Sequence, residues 1–212
     1  MENVTLKTVI GQLEELFQIF NKRFYNGEIL TPVIAVNSDS SNSCYGWCTT
    51  WKAWQQEGTE GHYEINMCAE HLNRPFDEIC VTLLHEMVHI WNLQLGIKDT
   101  SRGNTYHNAK FKTMAEDKGL SITRHAKYGW TISELSMEGQ DFVDTITDMK
   151  FNLYRTPIAK SESTSKSKSS SRKYICPECG QSVRATKEIK LLCGECSDED
   201  ELVMMELEGD DE

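Results

Sequence analysis

Two histidines and a glutamate near the middle of the chain have the spacing of a hydrolytic metal site. Residues 85–89 read His-Glu-Met-Val-His, and side chains four residues apart lie on the same face of a helix. His85 and His89 can therefore direct imidazole nitrogens at one zinc ion, a metal that prefers nitrogen and sulfur ligands. Glu86 lies beside that face, where a general base could take a proton from a zinc-activated water that attacks a peptide carbonyl. The pattern predicts zinc-dependent peptide-bond hydrolysis.

A third metal ligand must come from elsewhere in the chain, because catalytic zinc usually has three protein ligands and keeps a fourth position for water. Asn92 and Leu95 stand where the metzincin pattern requires glycine and histidine, which excludes that group. Two downstream donors remain, His107 and Glu116, both on a further predicted helix. We favour His107, which shares the inward face of that helix with Phe111 four residues later. Glu116 stays the alternative.

Four cysteines near the C-terminus form a second candidate metal site. Cys176 and Cys179, then Cys193 and Cys196, make two Cys-x-x-Cys pairs separated by 13 residues. This spacing is typical of a zinc ribbon, in which four thiolates close a tetrahedral structural site without a water position. Such a zinc ion would hold the short segment folded. Disulfides and a redox-active Cys-x-x-Cys pair are the alternatives.

Other candidate residues are predicted to be structural. Four cysteines lack metal-ligand spacing and are expected to be buried thiols: Cys44, Cys48, Cys68 and Cys80. Trp47, Trp51 and Trp54 are interpreted as core residues, with a wall of a substrate groove as the alternative. Three further side chains could donate a hydrogen bond to a reacting carbonyl, and the sequence assigns the role to none of them: Tyr106, His125 and Tyr128.

The helix that carries His85 and His89 is predicted from independent signals. Pro75 near its start, acidic residues in its first turn and Gly96 after its end frame an apolar stretch. An amphipathic first helix is predicted over 9–24, strands over 33–36, 45–54 and 63–68, and a further helix over about 104–118. The third strand is expected to be structural, with an edge for an extended substrate as the alternative. These elements predict an α+β body.

Charge is distributed unevenly along the 212 residues, which carry a net −11. Residues 1–155 contain 14 basic and 20 acidic groups, residues 156–196 contain 8 and 4, and the last sixteen contain none and 9. The Ser/Lys-rich composition of 156–173 predicts a flexible linker. The predicted organisation is a metallopeptidase domain (1–155), this linker, a zinc ribbon (174–197) and a disordered acidic tail (198–212).

These motifs together resemble the SprT-like family of zinc metallopeptidases, whose members include proteases of DNA–protein crosslinks. The residues that carry the resemblance are Phe20-Asn21, Phe24-Tyr25, Gly27, Thr82-Leu83-Leu84 with the 85–89 motif, His107 with Phe111, and the four ribbon cysteines. The resemblance implies a zincin-like domain in which His85, His89 and His107 bind zinc and Glu86 is the catalytic base. One departure is Asn108, which stands where the family commonly has glycine.

The sequence therefore predicts a zinc metallopeptidase with one catalytic and one structural Zn²⁺. Its substrates are expected to be proteins or peptides, and the resemblance implies DNA-associated or DNA-crosslinked proteins and a role in DNA repair. The basic linker and ribbon are the expected DNA contacts. The alternative is a zinc-stabilised adaptor that binds nucleic acid or protein, with vestigial or conditional peptidase activity. No membrane partner is expected, because no apolar run approaches the roughly 18 residues of a span. The N-terminus lacks secretory features, which predicts a cytoplasmic or nucleoid-associated protein.

Overall fold

The computed structural model describes residues 4–38, 44–147, 149–156, 172–198 and 201–207. The chain divides into two units, Met1–Pro157 and Ile158–Glu212. This division falls inside the segment predicted as a linker, most of which lies outside the described residues.

The first unit mixes helices and short strands, so the predicted α+β class is confirmed. Its helices are α1 Leu6–Phe24, α2 Phe76–Gln94, α3 Ala109–Asp117 and α4 Met137–Val143. Its strands are β1 Val33–Asn37, β2 Gly46–Cys48, β3 Glu64–Cys68, β4 Thr100–Ser101, β5 Tyr106–His107, β6 Leu120–His125 and β7 Gly129–Leu135. A short 3-10 turn, Ala69–His71, follows β3.

The first two helices form the centre of this unit. The apolar residues of α1 recur at three- and four-residue steps and are all buried, as predicted: Val9, Leu13, Leu16, Phe17, Phe20 and Phe24. The helix ends before Asn26 and Gly27, which both adopt positive φ. Most of α2 is buried, and it contacts α1, α3, α4 and strands of both sheets. A helix packed against so many elements is a rigid support for the side chains that it presents.

The first sheet has the order β1-β3-β2. The central strand β3 pairs in parallel with β1 and antiparallel with β2, in the register Trp47 opposite Asn66. Both edges of β3 are therefore occupied, and its predicted structural role is correct. The two edge strands are β1 and β2, and α2 packs against β2.

The second sheet has the order β4-β5-β7-β6 and carries the third histidine. Strands β6 and β7 form an antiparallel hairpin, β5 pairs in parallel with β7 through His107 and Gly129, and β4 pairs with β5. The helix predicted over 104–118 is wrong at its N-terminal end, because α3 begins only at Ala109. Arg102, Gly103 and Asn104 all have positive φ, a left-handed conformation that turns the chain back and cannot start a right-handed helix.

The second unit is a small antiparallel sheet with the order β10-β8-β9, formed by β8 Arg172–Ile175, β9 Ser182–Ala185 and β10 Glu206–Leu207. Its buried side chains include Tyr174 and two cysteines, Cys176 and Cys193. The Tyr174 hydroxyl accepts a hydrogen bond from the Ile189 N–H at 3.1 Å. This unit begins earlier than the predicted 174–197, since β8 starts at Arg172.

The acidic tail is not uniformly disordered, which corrects the prediction for 198–212. Within it, β10 pairs with β8, and Met204 bridges Leu192. Just before β10, the Cys193 N–H donates to the Val203 carbonyl and the Met205 N–H donates to the Leu191 carbonyl, both at 2.9 Å. These bonds hold the chain so that Glu206 and Leu207 can add to the edge of β8. Residues 208–212 lie outside the described residues.

None of the helices in the described part of the chain is long and apolar enough to cross a membrane.

Candidate metal centre

Three imidazole rings converge between α2 and the second sheet. The Nε2 atom of His107 lies 3.2 Å from Nε2 of His85 and 3.1 Å from Nε2 of His89. The ring centroids are 5.0 Å apart in all three pairs. The three nitrogens therefore face one common point, and the fold brings together the three histidines that the sequence singled out.

Two different elements supply these rings. His85 and His89 are one turn apart on α2, whereas His107 lies on β5 and not on a helix as predicted. The His107 backbone N–H donates to the Tyr128 carbonyl oxygen at 2.9 Å. A Cβ on Gly129 would lie 2.1 Å from the His107 carbonyl oxygen, so only glycine allows β5 to approach β7 this closely. The position of His107 depends on this close strand pairing.

Asn108, the departure from the family pattern, caps α3 immediately after the third histidine. Its Oδ1 accepts hydrogen bonds from the N–H groups of Lys110 (2.8 Å) and Phe111 (3.4 Å). Its Nδ2 donates to the Lys98 carbonyl oxygen at 3.0 Å. An asparagine cap stabilises a helix start, so this residue helps to hold the backbone next to His107.

The outward-facing nitrogens of the α2 histidines have hydrogen-bond partners of their own. Nδ1 of His89 donates to Asp99 Oδ2 at 2.7 Å, and Asn92 Nδ2 donates to the same oxygen at 3.0 Å. Nδ1 of His85 lies 2.8 Å from the Ser133 hydroxyl. With Nδ1 protonated, each Nε2 keeps its lone pair towards the common point. Sequence reasoning missed these three partners, because only their position in the fold distinguishes them from other polar residues.

Phe111 forms an apolar wall behind the three rings. Its ring centroid lies 4.6 Å from those of His85 and His89 and 4.7 Å from that of His107. The sequence placed Phe111 on the same face as His107, and this contact is present although His107 precedes the helix. A buried aromatic ring restricts the imidazoles to few rotamers.

Burial sets the protonation of the cluster. It lowers the pKa of His85 well below its usual value and the pKa of His107 to about 4, and the neighbouring imidazoles act in the same direction. Burial is also the strongest single influence on His89 and opposes its charge, but the hydrogen bond to Asp99 and the negative charges of Glu86 and Asp99 together outweigh it and raise the pKa of His89. His85 and His107 are therefore neutral at pH 7, the form that binds metal.

Glu86 lies next to these rings and is buried, with 6% of its surface exposed. Burial raises the pKa of its carboxyl group, while His89 and hydrogen bonds from the Cys48 thiol and backbone act in the opposite direction. Burial likewise raises the pKa of Cys48 well above the usual value, so its thiol is a donor at neutral pH. A buried carboxylate with a raised pKa is suited to accept and return a proton near neutral pH.

The histidines and Glu86 open into a cleft of about 1260 Å³ between the free edge of β2 and the second sheet. Its walls include Gly46, Trp47 and Cys48 on one side and residues 131–135 on the other. Such a volume accommodates a segment of polypeptide rather than a small ion alone.

The donor set fits a tetrahedral metal ion. Zinc–nitrogen bonds of about 2.0–2.1 Å place tetrahedral ligands roughly 3.3–3.4 Å apart, close to the measured 3.1 and 3.2 Å. The Ser133 hydroxyl lies 3.4 Å from the Thr131 carbonyl oxygen, to which it can donate, so it is free to accept from His85 Nδ1. The Nε2 lone pairs of His85 and His107 then face each other, joined by that of His89 when its ring is neutral. This arrangement is unfavourable without a cation between the rings.

The four ribbon cysteines also converge, and their sulfur atoms form the other cluster in the described residues that could hold a metal ion. Sγ of Cys179 lies 3.7 Å from Sγ of Cys193, near the roughly 3.8 Å expected between tetrahedral thiolates. The Cys176 carbonyl accepts from the Gly180 N–H and the Cys193 carbonyl from the Ser197 N–H, so the two turns have the same geometry. Backbone N–H groups, that of Cys179 foremost, lower the pKa of Cys176 to about 7. None of the eight cysteines forms a disulfide.

Other candidate residues lie outside the metal cluster. Both carboxylate oxygens of Glu116 accept from Lys112 Nζ, at 2.6 and 2.5 Å, on the surface of α3. Trp51 and Trp54 are 64% and 48% exposed, so their prediction as core is wrong, while Trp47 is half-buried and lines the cleft. The remaining candidates are absent from the cleft walls within the described residues: Tyr106, His125 and Tyr128. Of the four other cysteines, Cys68 and Cys80 are buried and Cys44 and Cys48 are half-buried.

Comparison with protein families gives a match over the first unit of the chain. A model of the SprT-like family matches residues 13–126, more than half of the chain, and this range contains all three histidines and Glu86. The ribbon lies outside the match. Comparison with curated proteins and with solved structures returned no match.

Proposed function

Because the chain belongs to the SprT-like family, we propose that it is a zinc-dependent metallopeptidase. The observation that carries this proposal is the convergence of three imidazole Nε2 atoms beside a buried glutamate in an open cleft. A site that only stabilised the fold would bind zinc with four protein ligands. Three protein ligands, which leave a fourth position for water, and a neighbouring general base are typical of a hydrolytic zinc site.

His85, His89 and His107 would hold the catalytic Zn²⁺. When bound, this ion would act as a Lewis acid that polarises the substrate carbonyl and lowers the pKa of a water molecule. Asp99, Asn92 and Ser133 keep the imidazoles in place, and Phe111 excludes water from behind them. The protein thus supplies a preformed site that needs little rearrangement.

Glu86 is the proposed general base. Its carboxylate takes a proton from the attacking water and later delivers a proton to the leaving amine of the cleaved peptide bond. Its burial next to His89 and the hydrogen bonds from Cys48 position it for both transfers.

The free edge of β2 is the proposed binding surface for the substrate backbone. The Cys68 N–H donates to the Tyr45 carbonyl, and the Thr49 N–H donates to the Glu64 carbonyl, both at 2.9 Å. Alternate residues of an antiparallel strand face opposite sides, so the main-chain groups of Gly46 point away from β3 and towards the cleft. An extended substrate can add to this edge as a further strand.

The ribbon would hold the structural Zn²⁺ through its four cysteines. Basic residues on its surface favour DNA-associated proteins as the substrate class. Arg184, Lys187 and Lys190 lie on the exposed surface of this unit. Clustered cations favour contact with phosphates, which would bring the peptidase to proteins on DNA.

The proposal predicts proteolysis that depends on zinc. The zinc-loaded full chain is expected to cleave a DNA-binding protein, chelation of the metal should abolish cleavage, and added Zn²⁺ should restore it; gel electrophoresis of the products measures this. Parallel reactions with and without single-stranded DNA test the substrate class. Absence of cleavage in every condition, together with salt-sensitive DNA binding that is lost on deletion of 156–196, would instead support the adaptor.

Asp99 should tune metal affinity through His89. The Asp99→Asn variant is expected to bind zinc about 10–100-fold more weakly, because a neutral amide is a poorer acceptor for Nδ1–H than a carboxylate. Competition with a chromogenic chelator measures the affinity. Asp117→Asn is the matched control, since Asp117 pairs with Lys118 on the surface. Equal affinity of the two variants would rule out this role for Asp99.

A further inference from the structure

Two cysteines outside both metal clusters lie close enough together to react with each other. Sγ of Cys44 lies 3.7 Å from Sγ of Cys68. Neither belongs to the histidine cluster or to the ribbon, and neither takes part in the proposed hydrolysis. The sulfur atoms of a disulfide are about 2.05 Å apart, so these two atoms need to approach by roughly 1.7 Å to form one.

The backbones of the two cysteines are neighbours in the first sheet. The Cys68 N–H donates to the Tyr45 carbonyl at 2.9 Å, so Cys44 is one residue away from the position opposite Cys68. On its other side, Cys68 pairs in register with Asn37 of β1. Cys68 is therefore fixed between two strands. Cys44 precedes β2 and is the member of the pair with the freer backbone.

The two thiols differ in their access to solvent. Cys68 is 1% exposed, whereas Cys44 is half-buried and lines the cleft. A small oxidant that enters the cleft therefore meets Cys44 first. Cys68 then lies in position to attack the product of that first reaction, as the resolving cysteine of a redox-active pair does.

Arg74 supplies positive charge next to this pair. Its Nε donates to the His71 carbonyl at 3.0 Å, and Nη2 donates to the Thr82 hydroxyl at 2.8 Å, which hold the guanidinium in place. Burial lowers the pKa of Arg74, and the charges of three groups oppose this effect: Glu78, Tyr45 and Cys68. The same attraction favours the thiolate of Cys68, which is the nucleophilic form.

The other two cysteines of the first unit have less reactive surroundings. Burial raises the pKa of Cys48 well above its usual value, and it raises the pKa of Cys80 in the same way. A protonated thiol is a poor nucleophile. Both are therefore expected to stay reduced under conditions that oxidise the Cys44–Cys68 pair.

We propose that Cys44 and Cys68 form a reversible disulfide when the chain meets a low-molecular-weight disulfide as oxidant. The Cys44 thiolate attacks one sulfur of the oxidant, forms a mixed disulfide and releases one thiol. The Cys68 thiolate then attacks Sγ of Cys44 and releases the second thiol. The protein loses two hydrogen atoms and two electrons, which convert the oxidant into two thiols.

The disulfide would join the residue before β2 to the last residue of β3. It closes a loop of 23 intervening residues, and three of them line the cleft: Tyr45, Gly46 and Trp47. The bond would therefore fix the wall of the cleft that is the proposed binding surface for substrate. Its relevance to cleavage rests on the proposed function, but the bond itself forms whether or not the chain cleaves peptides.

The test treats the zinc-loaded full chain with glutathione disulfide, blocks the remaining thiols and maps the peptides by mass spectrometry. A cross-linked peptide that contains Cys44 and Cys68 is expected, and excess reduced glutathione should remove it. Cys80→Ala is the matched control and should form the same cross-link at the wild-type rate.

Three variants separate the steps of the reaction. Cys68→Ser should accumulate the mixed disulfide on Cys44, because the resolving thiol is gone, and Cys44→Ser should form neither product. Arg74→Gln should slow cross-linking by about threefold, because a smaller fraction of Cys68 is then thiolate. Thermal unfolding of each variant establishes that it is folded.

The proposal would be overturned if the oxidised wild-type chain carried glutathione on Cys44 and yielded no peptide that joins it to Cys68. Loss of two hydrogen atoms by Cys44→Ser at the wild-type rate would also overturn it, because another pair of cysteines would then be the one that reacts. Cys44 is half-buried and precedes β2, so its replacement by serine leaves the core intact. Neither outcome depends on whether the chain cleaves peptides.

Discussion

Replacement of Glu86 by glutamine is expected to lower peptidase turnover by about 10³-fold, roughly 4 kcal/mol of transition-state stabilisation. Glutamine has the size and hydrogen-bonding shape of glutamate, so the contacts with Cys48 and the burial on α2 can persist. It cannot accept a proton from water at neutral pH. The loss should therefore appear in kcat, while the metal content stays at the wild-type level.

Glu134→Gln is the matched control for this experiment. Glu134 lines the same cleft but is exposed on β7, and no ion pair in the described residues involves it. Its replacement should leave kcat within about threefold of wild type, as for other surface positions that do not touch the reacting atoms. Undiminished turnover in a metal-loaded Glu86→Gln protein would show that another group is the base.

Replacement of His107 by alanine is expected to remove the catalytic metal, lowering the zinc content from about two to about one per chain. Two histidines on one helix fall short of the three protein ligands that zinc sites of this kind need. Peptidase activity should fall to the level of the chelated protein. Elemental analysis of the purified protein measures the zinc content and a peptidase assay measures the activity, with circular dichroism as a check of folding.

Glu116→Ala is the informative comparison, because Glu116 was the alternative third ligand. Its carboxylate pairs with Lys112 on the surface of α3, so its loss should leave two zinc ions per chain. Two zinc ions in the His107 variant and one in the Glu116 variant would reverse the ligand assignment. The remaining zinc in the His107 variant should resist removal of His85 and disappear on replacement of Cys176, since it belongs to the ribbon.

Much of the candidate site could be predicted from local sequence, because helical periodicity acts over short distances. His85, Glu86 and His89 are within one turn of a helix framed by Pro75 and Gly96, and their relative placement follows from backbone geometry alone. The two Cys-x-x-Cys turns are local in the same way, and their cysteines converge as predicted.

The secondary structure around His107 was harder to predict, because it depends on a turn and on pairing with a distant strand. Arg102, Gly103 and Asn104 all have positive φ, which prevents a right-handed helix from starting at these residues. Gly129 then allows β5 to lie against β7, more than twenty residues away. Helical spacing between His107 and Phe111 suggested a correct contact for an incorrect reason.

The sequence by itself determined the candidate metal-ligand residue types, the helix that carries two of them and the division of charge along the chain, because each is a property of neighbouring residues. Only the tertiary structure decided which residues surround them. Asp99 precedes β4, Ser133 lies on β7 and Cys48 on β2, and they reach His89, His85 and Glu86 only because strands of both sheets pack against α2. Arg102 and Arg124 are likewise separated in sequence, and both contact the side chain of Tyr106 in the folded chain.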